Sequence, residues 1–293
     1  MDLAELEVQQ YENLIDRLKS VHKDGSARAD WQAMADSDPP TEPTRQSVNE
    51  TLATEERYRY KPSVADKLLG RTTKKRAELD ARIDEAKAED DRKHSEALKR
   101  HEEALADWAT DVAFAKRVLA GDAEARLEAL SEAAPWSELA EFGAEVEIFA
   151  QAPQSIECMV RVASESAIPS ESKSLLKSGK VSTKQMPKGR FYELHQDYVC
   201  SCVFRVAREC LAILPVDTAV VTATSVILDT STGHLAEQPI LTVAIPRATL
   251  ESLNLDWIDP SDALKNFVHR MKFKKTKGFE PVERLDATAI ATR

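Results

Sequence analysis

The segment from Thr72 to Ala120 reads TTKKRAELDARIDEAKAEDDRKHSEALKRHEEALADWATDVAFAKRVLA, and it decides how the chain is organised. It contains neither proline nor glycine, and Gly121 and Asp122 follow it directly. An uninterrupted helix of this length would be roughly 70 Å long, about twice the diameter of a small domain. We therefore expect the helix to project from the fold or to lie along other helices.

The apolar residues of this segment recur at three- and four-residue steps, which places them on one helical face. Asp90, His94 and His101 interrupt that face, as polar residues do in a seam where a partner helix ends or the register is set. Their spacing is not that of a known metal site, so we interpret them as a solvated gap. The pattern favours an antiparallel coiled-coil hairpin, and its apolar positions are Leu79, Ile83, Ala86, Ala97, Ala104, Trp108, Val112, Ala115 and Leu119.

The sequence before and just after the long helix is also helical in character. Leu3–His22 is amphipathic and can lie against the long helix, and Ser47 can cap a further helix to about Arg59. Three prolines between Asp38 and Pro43 separate these helices. Because the hydrophobic period changes near Gly143, we predict that residues 1–143 form a helical coiled-coil stalk and residues 144–293 a second domain.

Residues 144–293 combine strand-like alternation with helical spacing, which predicts an α+β domain with an antiparallel sheet. A hairpin turn containing Gly233 joins the central pair of strands. Asp259 or Ser261 can cap a last helix, which we expect to reach about Met271. The other predicted elements are two strands around Val146–Ala150 and Ile156–Val162, a helix over Phe191–Leu214, and two strands over Thr218–Leu228 and Pro239–Ile245.

Charge is distributed unevenly along the chain, whose formal net charge is -10. Residues 1–143 hold 32 acidic and 22 basic residues, whereas residues 144–293 hold 18 of each. The acidic N-terminus and the lack of a long apolar run predict a cytoplasmic protein without a membrane segment. The four cysteines are too few and too clustered for a disulfide framework, so we expect reduced core thiols.

Two segments of the C-terminal half are basic and contain no acidic residue. If they meet in space, they form a patch that can neutralise phosphates, with Phe273 and Phe279 as stacking groups. Solvated loops, or docking onto the acidic helical half, would explain the same charges. The segments comprise Lys173, Lys177, Lys180, Lys184, Lys188 and Arg190, and then Lys265, Arg270, Lys272, Lys274, Lys275 and Lys277.

The sequence contains no glycine-rich phosphate loop, metalloprotease motif, nucleophile elbow or kinase motif. Cys200 and Cys202 point about 200° apart on a helix, so they do not form a zinc half-site with His195. We interpret His195, His234 and His269 as structural or surface residues. The sequence therefore predicts a non-catalytic protein without a cofactor or a metal site.

The runs Val226–His234, Glu237–Val243 and Leu253–Pro260 resemble part of some uncharacterised bacterial domains that occur beside Mrr-type restriction-endonuclease domains. The resemblance covers about residues 190–285. It implies a nuclease-like enzyme or an accessory protein of a bacterial restriction or anti-phage defence system. Glu193, Asp229 and Glu237 would then supply metal-binding carboxylates.

One feature of such nucleases is absent from the sequence. Glu237 is followed by Gln238 and Pro239 rather than by the x-Lys of the nuclease motif. Our leading hypothesis is therefore a non-catalytic interaction or scaffold protein. It would bind a protein partner, or a second copy through the stalk, and nucleic acid is the candidate ligand of the C-terminal domain.

Overall fold

The computed structural model describes residues 3–134, 136–152, 154–163, 167–229 and 231–286, except for the side chains of residues 150 and 151. The protein is α+β, as predicted. The described helices are α1 (Leu3–Ser20), α2 (Trp31–Ala35), α3 (Val48–Arg59), α4 (Val64–Leu68), α5 (Thr72–Leu119), α6 (Ala123–Ala133), α7 (Trp136–Glu141), α8 (Lys188–Ile213), α9 (Arg247–Glu251) and α10 (Pro260–Ala263). The strands are β1 (Glu145–Ala152), β2 (Ser155–Arg161), β3 (Glu171–Leu175), β4 (Val181–Gln185), β5 (Thr218–Leu228), β6 (Leu235–Pro246), β7 (Val268–Lys274) and β8 (Gly278–Glu280).

The predicted long helix is present as α5, a single helix of 48 residues. It ends in a Schellman motif, in which the Gly121 amide donates to the Val118 carbonyl and the Asp122 amide donates to the Arg117 carbonyl. Gly121 adopts a φ of 84°, which glycine reaches without steric cost. The Asp122 side chain then accepts from the Ala125 amide at 2.8 Å and starts α6.

The described residues divide into two compact units. One contains the residues up to Trp31 together with those from Lys116 onward, and the other is Gln32–Ala115. The helix α1 belongs to the unit that contains the sheet, where it packs against α8, β3 and β4. The predicted segments 1–143 and 144–293 do not coincide with these units, and their separate folding stays a prediction.

Within the unit Gln32–Ala115, α3 runs antiparallel to α5. Arg57 pairs with Asp80 at 2.6 Å and Arg82 with Glu56 at 2.9 Å, while residues at the start of α3 meet the α5 turn around Asp90. The Arg57–Asp80 and Arg82–Glu56 contacts are ion pairs between solvent-accessible side chains, and α3 has no buried residue. The predicted coiled coil is therefore not confirmed, although the antiparallel direction matches the expectation.

Asp90 caps α3 from a position in the middle of α5. Its carboxylate accepts from the Glu50 amide at 2.9 Å and from the Asn49 side chain at 2.6 Å. The hydrogen bond from the Glu50 amide is the main cause of the lowered pKa of Asp90. Ser47, the predicted cap, precedes α3 but makes no side-chain capping bond. Of the three polar residues that we interpreted as a solvated gap, Asp90 is thus a helix cap.

The main sheet has the strand order β1-β2-β5-β6-β7-β8, and β3 and β4 form a separate hairpin. The expectation of an antiparallel sheet is wrong in one place, because β2 and β5 are parallel. A parallel pair requires a crossover connection, and here the chain between β2 and β5 contains the β3–β4 hairpin and α8. The sheet is mixed for this reason.

The helix α8 lies at the centre of the sheet-containing unit. It packs against the strands β5 and β2 and against the helices α1 and α10. Of its 26 residues, 16 are buried, so it is shielded around most of its circumference. This explains why Cys200 and Cys202 are both buried although they point in different directions.

The last predicted helix is wrong beyond its first turn. Asp259 does cap α10, accepting from the amides of Ser261 and Asp262, but α10 ends at Ala263 and a 3₁₀ turn follows. Residues 268–274 then form β7, in which exposed and half-buried residues alternate. The period of two in this stretch fits its antiparallel pairing with β6.

Buried polar contacts attach the N-terminal segment to α8. The His22 ring lies 2.8 Å from Ser201 Oγ and 3.1 Å from the Leu255 carbonyl oxygen, and burial lowers the pKa of His22. Glu209 accepts from the Ser26 amide and lies 2.8 Å from Arg205 Nε, with the Arg205 and Glu209 side chains 5% and 0% exposed. These contacts explain why α1 lies on α8 rather than in a stalk.

Candidate functional site

The N-terminal part of α8 adjoins both predicted basic segments. The first segment runs through the β3–β4 hairpin directly into the first turn of α8, where Lys188 and Arg190 are exposed. The second, apart from Lys265 in the 3₁₀ turn, lies on the β7–β8 hairpin, which packs against α8. Lys275 forms an ion pair with Glu193, and the His195 and Phe279 rings lie 5.4 Å apart. The β7–β8 hairpin thus meets the N-terminal part of α8, which lies 82 residues earlier in the sequence at the contact between Glu193 and Lys275.

Gly278 permits this close approach of β8 to α8. Its φ is +80°, and a Cβ atom at this position would lie 2.9 Å from the ring of Tyr192. A side chain here would therefore be strained in its backbone and would also collide with the ring. The identity of this glycine helps to place the second basic segment on the helix.

Five of the twelve cations form ion pairs with nearby acids. Lys173 pairs with Glu7 at 2.7 Å and Lys274 with Glu280 at 2.6 Å. Lys275, Arg270 and Lys265 pair with Glu193, Glu283 and Asp262. The other seven are exposed and form no ion pair with any residue that the structure describes; they are Lys177, Lys180, Lys184, Lys188, Arg190, Lys272 and Lys277.

The N-terminus of α8 adds to the positive potential of these cations. No side chain caps the helix, whose N-cap position is Pro187, and the first turn contains no acidic residue. The aligned peptide dipoles of a helix place roughly half a positive charge at this end. Lys188 and Arg190 therefore lie where an anion already experiences a favourable field.

The three candidate carboxylates lie on different elements and have separate partners. Glu193 on α8 pairs with Lys275, whose side chain is the main cause of the lowered pKa of Glu193. Asp229 accepts from the Ser231 hydroxyl and the Ser231 amide in the β5–β6 turn, which lowers its pKa. Glu237 on β6 lies 2.9 Å from Arg161, which lowers the pKa of Glu237.

The described residues contain no group of three or more histidine, cysteine, aspartate or glutamate side chains that could hold a metal ion. The nuclease alternative stays a prediction that the geometry of Glu193, Asp229 and Glu237 does not favour. The polar residues Asp90, His94 and His101 all lie on α5. The Asp90 carboxylate accepts a hydrogen bond from the Glu50 amide at the start of α3.

A cleft of about 890 Å³ opens between the β5–β6 and β7–β8 hairpins. The β6–β7 register runs from Ala244–Val268 to Leu241–Met271, and beyond it the Val282 amide, directly after β8, donates to the Pro239 carbonyl at 2.9 Å. Apolar residues form much of its wall and two unpaired lysines lie at its edge. The lining comprises His195, Ser225, Val226, Ile227, Leu228, Asp229, Leu235, Ile240, Lys272, Lys277, Phe279, Glu280 and Pro281.

Two of the residues that line the cleft have buried polar atoms without a hydrogen-bond partner in the described structure. These are His195 Nε2 and Ser225 Oγ, on side chains of residues that are 5% and 1% exposed. Burial lowers the pKa of His195 to about 4, so the ring is neutral at pH 7. A buried polar atom without a partner is costly, and such atoms are uncommon in folded proteins.

Aromatic side chains connect the cleft to the second basic segment. The Phe279 ring lies 5.2 Å from that of Phe273 and 5.4 Å from that of His195, in edge-to-face geometry both times. Phe279 lines the cleft. Of the two stacking groups expected from the sequence, Phe279 is the one that lines the cleft, together with Lys272 and Lys277.

The sequence did not point to Ser225, and it suggested only a structural or surface role for His195. Ser225 lies in a strand of alternating small and apolar residues, where a buried hydroxyl has no local signal. His195 is polar on a helix, and only the packing of β8 against α8 shows that it is buried. The four cysteines are buried and free, as expected, with Cys158 and Cys210 sulfur atoms 3.4 Å apart.

Among the described residues, no helix combines the length and the apolar character needed to cross a membrane. Comparison of the chain with protein-family models, with curated proteins and with solved structures found no match.

Proposed function

We propose that this protein is a non-catalytic interaction protein that binds nucleic acid along the N-terminal part of α8. The observation that supports the proposal is the set of seven exposed cations without ion pairs to described residues, which come from two separate segments that adjoin the same helix. Each such cation can replace a counterion on a phosphate without first breaking an internal ion pair. The release of those counterions would favour binding.

The acidic character of the whole chain does not oppose this assignment. The formal net charge is -10, but the excess of acidic residues lies before residue 144. Charges farther apart than about 8–10 Å are largely screened at physiological ionic strength. The local field near β7–β8 and the start of α8 therefore governs the approach of a polyanion.

The test is the salt dependence of binding to a fluorescent single-stranded oligonucleotide, measured by anisotropy between about 50 and 200 mM salt. The test variant replaces Lys177, Lys180, Lys272 and Lys277 with glutamine. We expect weaker binding, and the slope of log K against log salt should decrease in magnitude by about 0.7 for each phosphate that the variant no longer neutralises.

The matched control replaces Lys67, Lys74, Lys87 and Lys99 with glutamine. These lysines are also exposed, lie outside the basic segments, and form no ion pair with a described residue. The net charge changes equally in both variants, so only a local site predicts different slopes. Equal slopes for the two variants, or no binding by the wild type at about 50 mM salt, would contradict the proposal.

Self-association is the competing explanation of the basic segments. If they bind the acidic segment of a second copy, sedimentation velocity at low salt should show a concentration-dependent oligomer. That oligomer should disappear in the test variant and persist in the control. Such a result without oligonucleotide binding would assign the cations to a protein partner instead.

A further inference from the structure

We propose that the cleft between the β5–β6 and β7–β8 hairpins receives one unstacked base of a single-stranded nucleic acid, with an adjacent phosphate at Lys272 and Lys277. This inference rests on the proposed function and specifies what part of the ligand the cleft recognises. Three properties of the cleft support it: unpaired polar atoms, apolar walls with an aromatic ring, and unpaired cations at its edge.

The unpaired polar atoms distinguish a base from a purely apolar ligand. A hydrocarbon chain would leave His195 Nε2 and Ser225 Oγ without partners, at a continuing cost. The Ala163 carbonyl hydrogen-bonds the neutral His195 ring, which leaves Nε2 as an acceptor. The Ser225 hydroxyl can donate and accept. A nucleobase carries N–H donors and carbonyl or ring-nitrogen acceptors on one edge, which are the kinds of partner that His195 Nε2 and the Ser225 hydroxyl lack.

The walls of the cleft suit the faces of a planar ring. Ile227, Ile240 and Phe279 are apolar residues that line it. Its volume of about 890 Å³ lies within the usual range of roughly 300–1,000 Å³ for small-molecule sites. Proteins that bind single strands commonly hold bases against aromatic side chains, and Phe279 provides such a side chain here.

The charges at the edge of the cleft favour an anionic group. Glu280 is held by Lys274 at 2.6 Å, and Asp229 accepts hydrogen bonds from Ser231 and Thr232. Lys272 and Lys277 form no ion pair with the described residues. The two acidic residues are therefore already occupied, while the two cations are available to a phosphate.

The test compares two oligonucleotides of equal charge. One is a decamer whose sugars carry no bases, and the other is the same strand with a single central base. We expect the wild type to bind the strand with one base roughly five- to hundredfold more tightly, as stacking of one base on an aromatic ring would provide. The affinity for the fully abasic strand reports the phosphate contacts alone.

Two variants locate the base. Ser225→Ala removes the hydroxyl and adds no volume, and His195→Phe keeps an aromatic ring while removing the acceptor. Both should reduce the preference for the strand with one base severalfold. Circular dichroism will show whether His195→Phe folds. If it does not fold, Ser225→Ala alone tests whether the base lies in the cleft. The matched control is Ser252→Ala, because Ser252 is exposed and lies outside the cleft.

The outcomes separate this inference from the function on which it rests. Equal binding of both strands by the wild type would overturn base recognition while leaving phosphate binding in place. An undiminished preference in Ser225→Ala and His195→Phe would place the base elsewhere and would also overturn it. Failure to bind either strand at about 50 mM salt would overturn both proposals.

Discussion

Replacing His195 with glutamine should make the stability of the sheet-containing unit less dependent on pH. The pKa of His195 falls from 6.5 to about 4 because the ring is buried. A group whose pKa is lowered by folding binds fewer protons when folded than when unfolded. The stability it contributes is therefore present above pH 6.5 and is lost as the pH falls towards 4.

The expected size of the effect follows from the two pKa values. Each pH unit below 6.5 costs about 1.4 kcal/mol until the folded protein also binds the proton. Between about pH 7 and pH 5 the wild type should lose about 2 kcal/mol through His195 alone. The groups that face the ring include Tyr198, Phe279 and the Ala163 carbonyl, with Lys272, Lys277 and Glu280 in the adjoining cleft.

The buried cysteines allow the unfolding of this unit to be followed separately. Cys158, Cys200, Cys202 and Cys210 are all buried, and all lie in the unit that contains α8. A brief pulse of dipyridyl disulfide, which reacts with thiols in acid, should label them only after unfolding in urea. The free energy of unfolding is then obtained at each pH from the labelled fraction.

The quantity of interest is the difference in unfolding free energy between the wild type and His195→Gln, because other groups titrate in the same pH range. We expect the difference in unfolding free energy to change by about 2 kcal/mol between pH 7 and pH 5. The matched variant His234→Gln removes an exposed imidazole and controls for the loss of a histidine as such. Parallel curves for wild type and His195→Gln would refute the reasoning.

Three further predictions concern other contacts. Removing Glu209 by Glu209→Ala should cost about 1–3 kcal/mol, because the buried Arg205 loses the buried Glu209 carboxylate and keeps only the exposed Glu138 as an ion-pair partner. The double variant Arg205→Met/Glu209→Leu should cost less than the sum of its two single variants; the thiol-pulse assay measures all three, and additive losses would argue against a coupled pair. Asp90→Ala should speed hydrogen exchange severalfold at the Asn49 and Glu50 amides but not in α8, and unchanged exchange there would show that Asp90 is not the cap. In the native protein at pH 8 the cysteines should resist alkylation, since burial raises the pKa of Cys202 to about 12, and rapid labelling without denaturant would contradict their burial.

Local periodicity predicted the elements in which apolar residues recur with the period of the helix or strand that they form. The helix α5 was predictable because it lacks proline and glycine and ends at Gly121. The strand β5 was predictable in its bounds, and α8 to within a few residues at its ends, since their apolar residues recur with the period of the element. The basic segments were likewise visible as charge, because charge is a property of composition.

The same rules failed where two patterns compete within a few residues. The stretch after Asp259 begins with a good helix cap, and this cap does start α10. The residues from Val268 onward alternate, however, and β6 offers them a partner strand. Helix propensity is a weak preference that such tertiary pairing overrides.

The sequence by itself determined the α+β class, the long helix, the central helix and the places where cations are concentrated, since each depends on residues close together in the chain. Only the tertiary structure decided that α1 packs on α8, that Asp90 caps α3, and that β2 and β5 are parallel. It alone brings His195 and Ser225 to one cleft beside Lys272. Each of these features joins residues far apart in sequence, and their contact depends on burial and packing, which local periodicity does not encode.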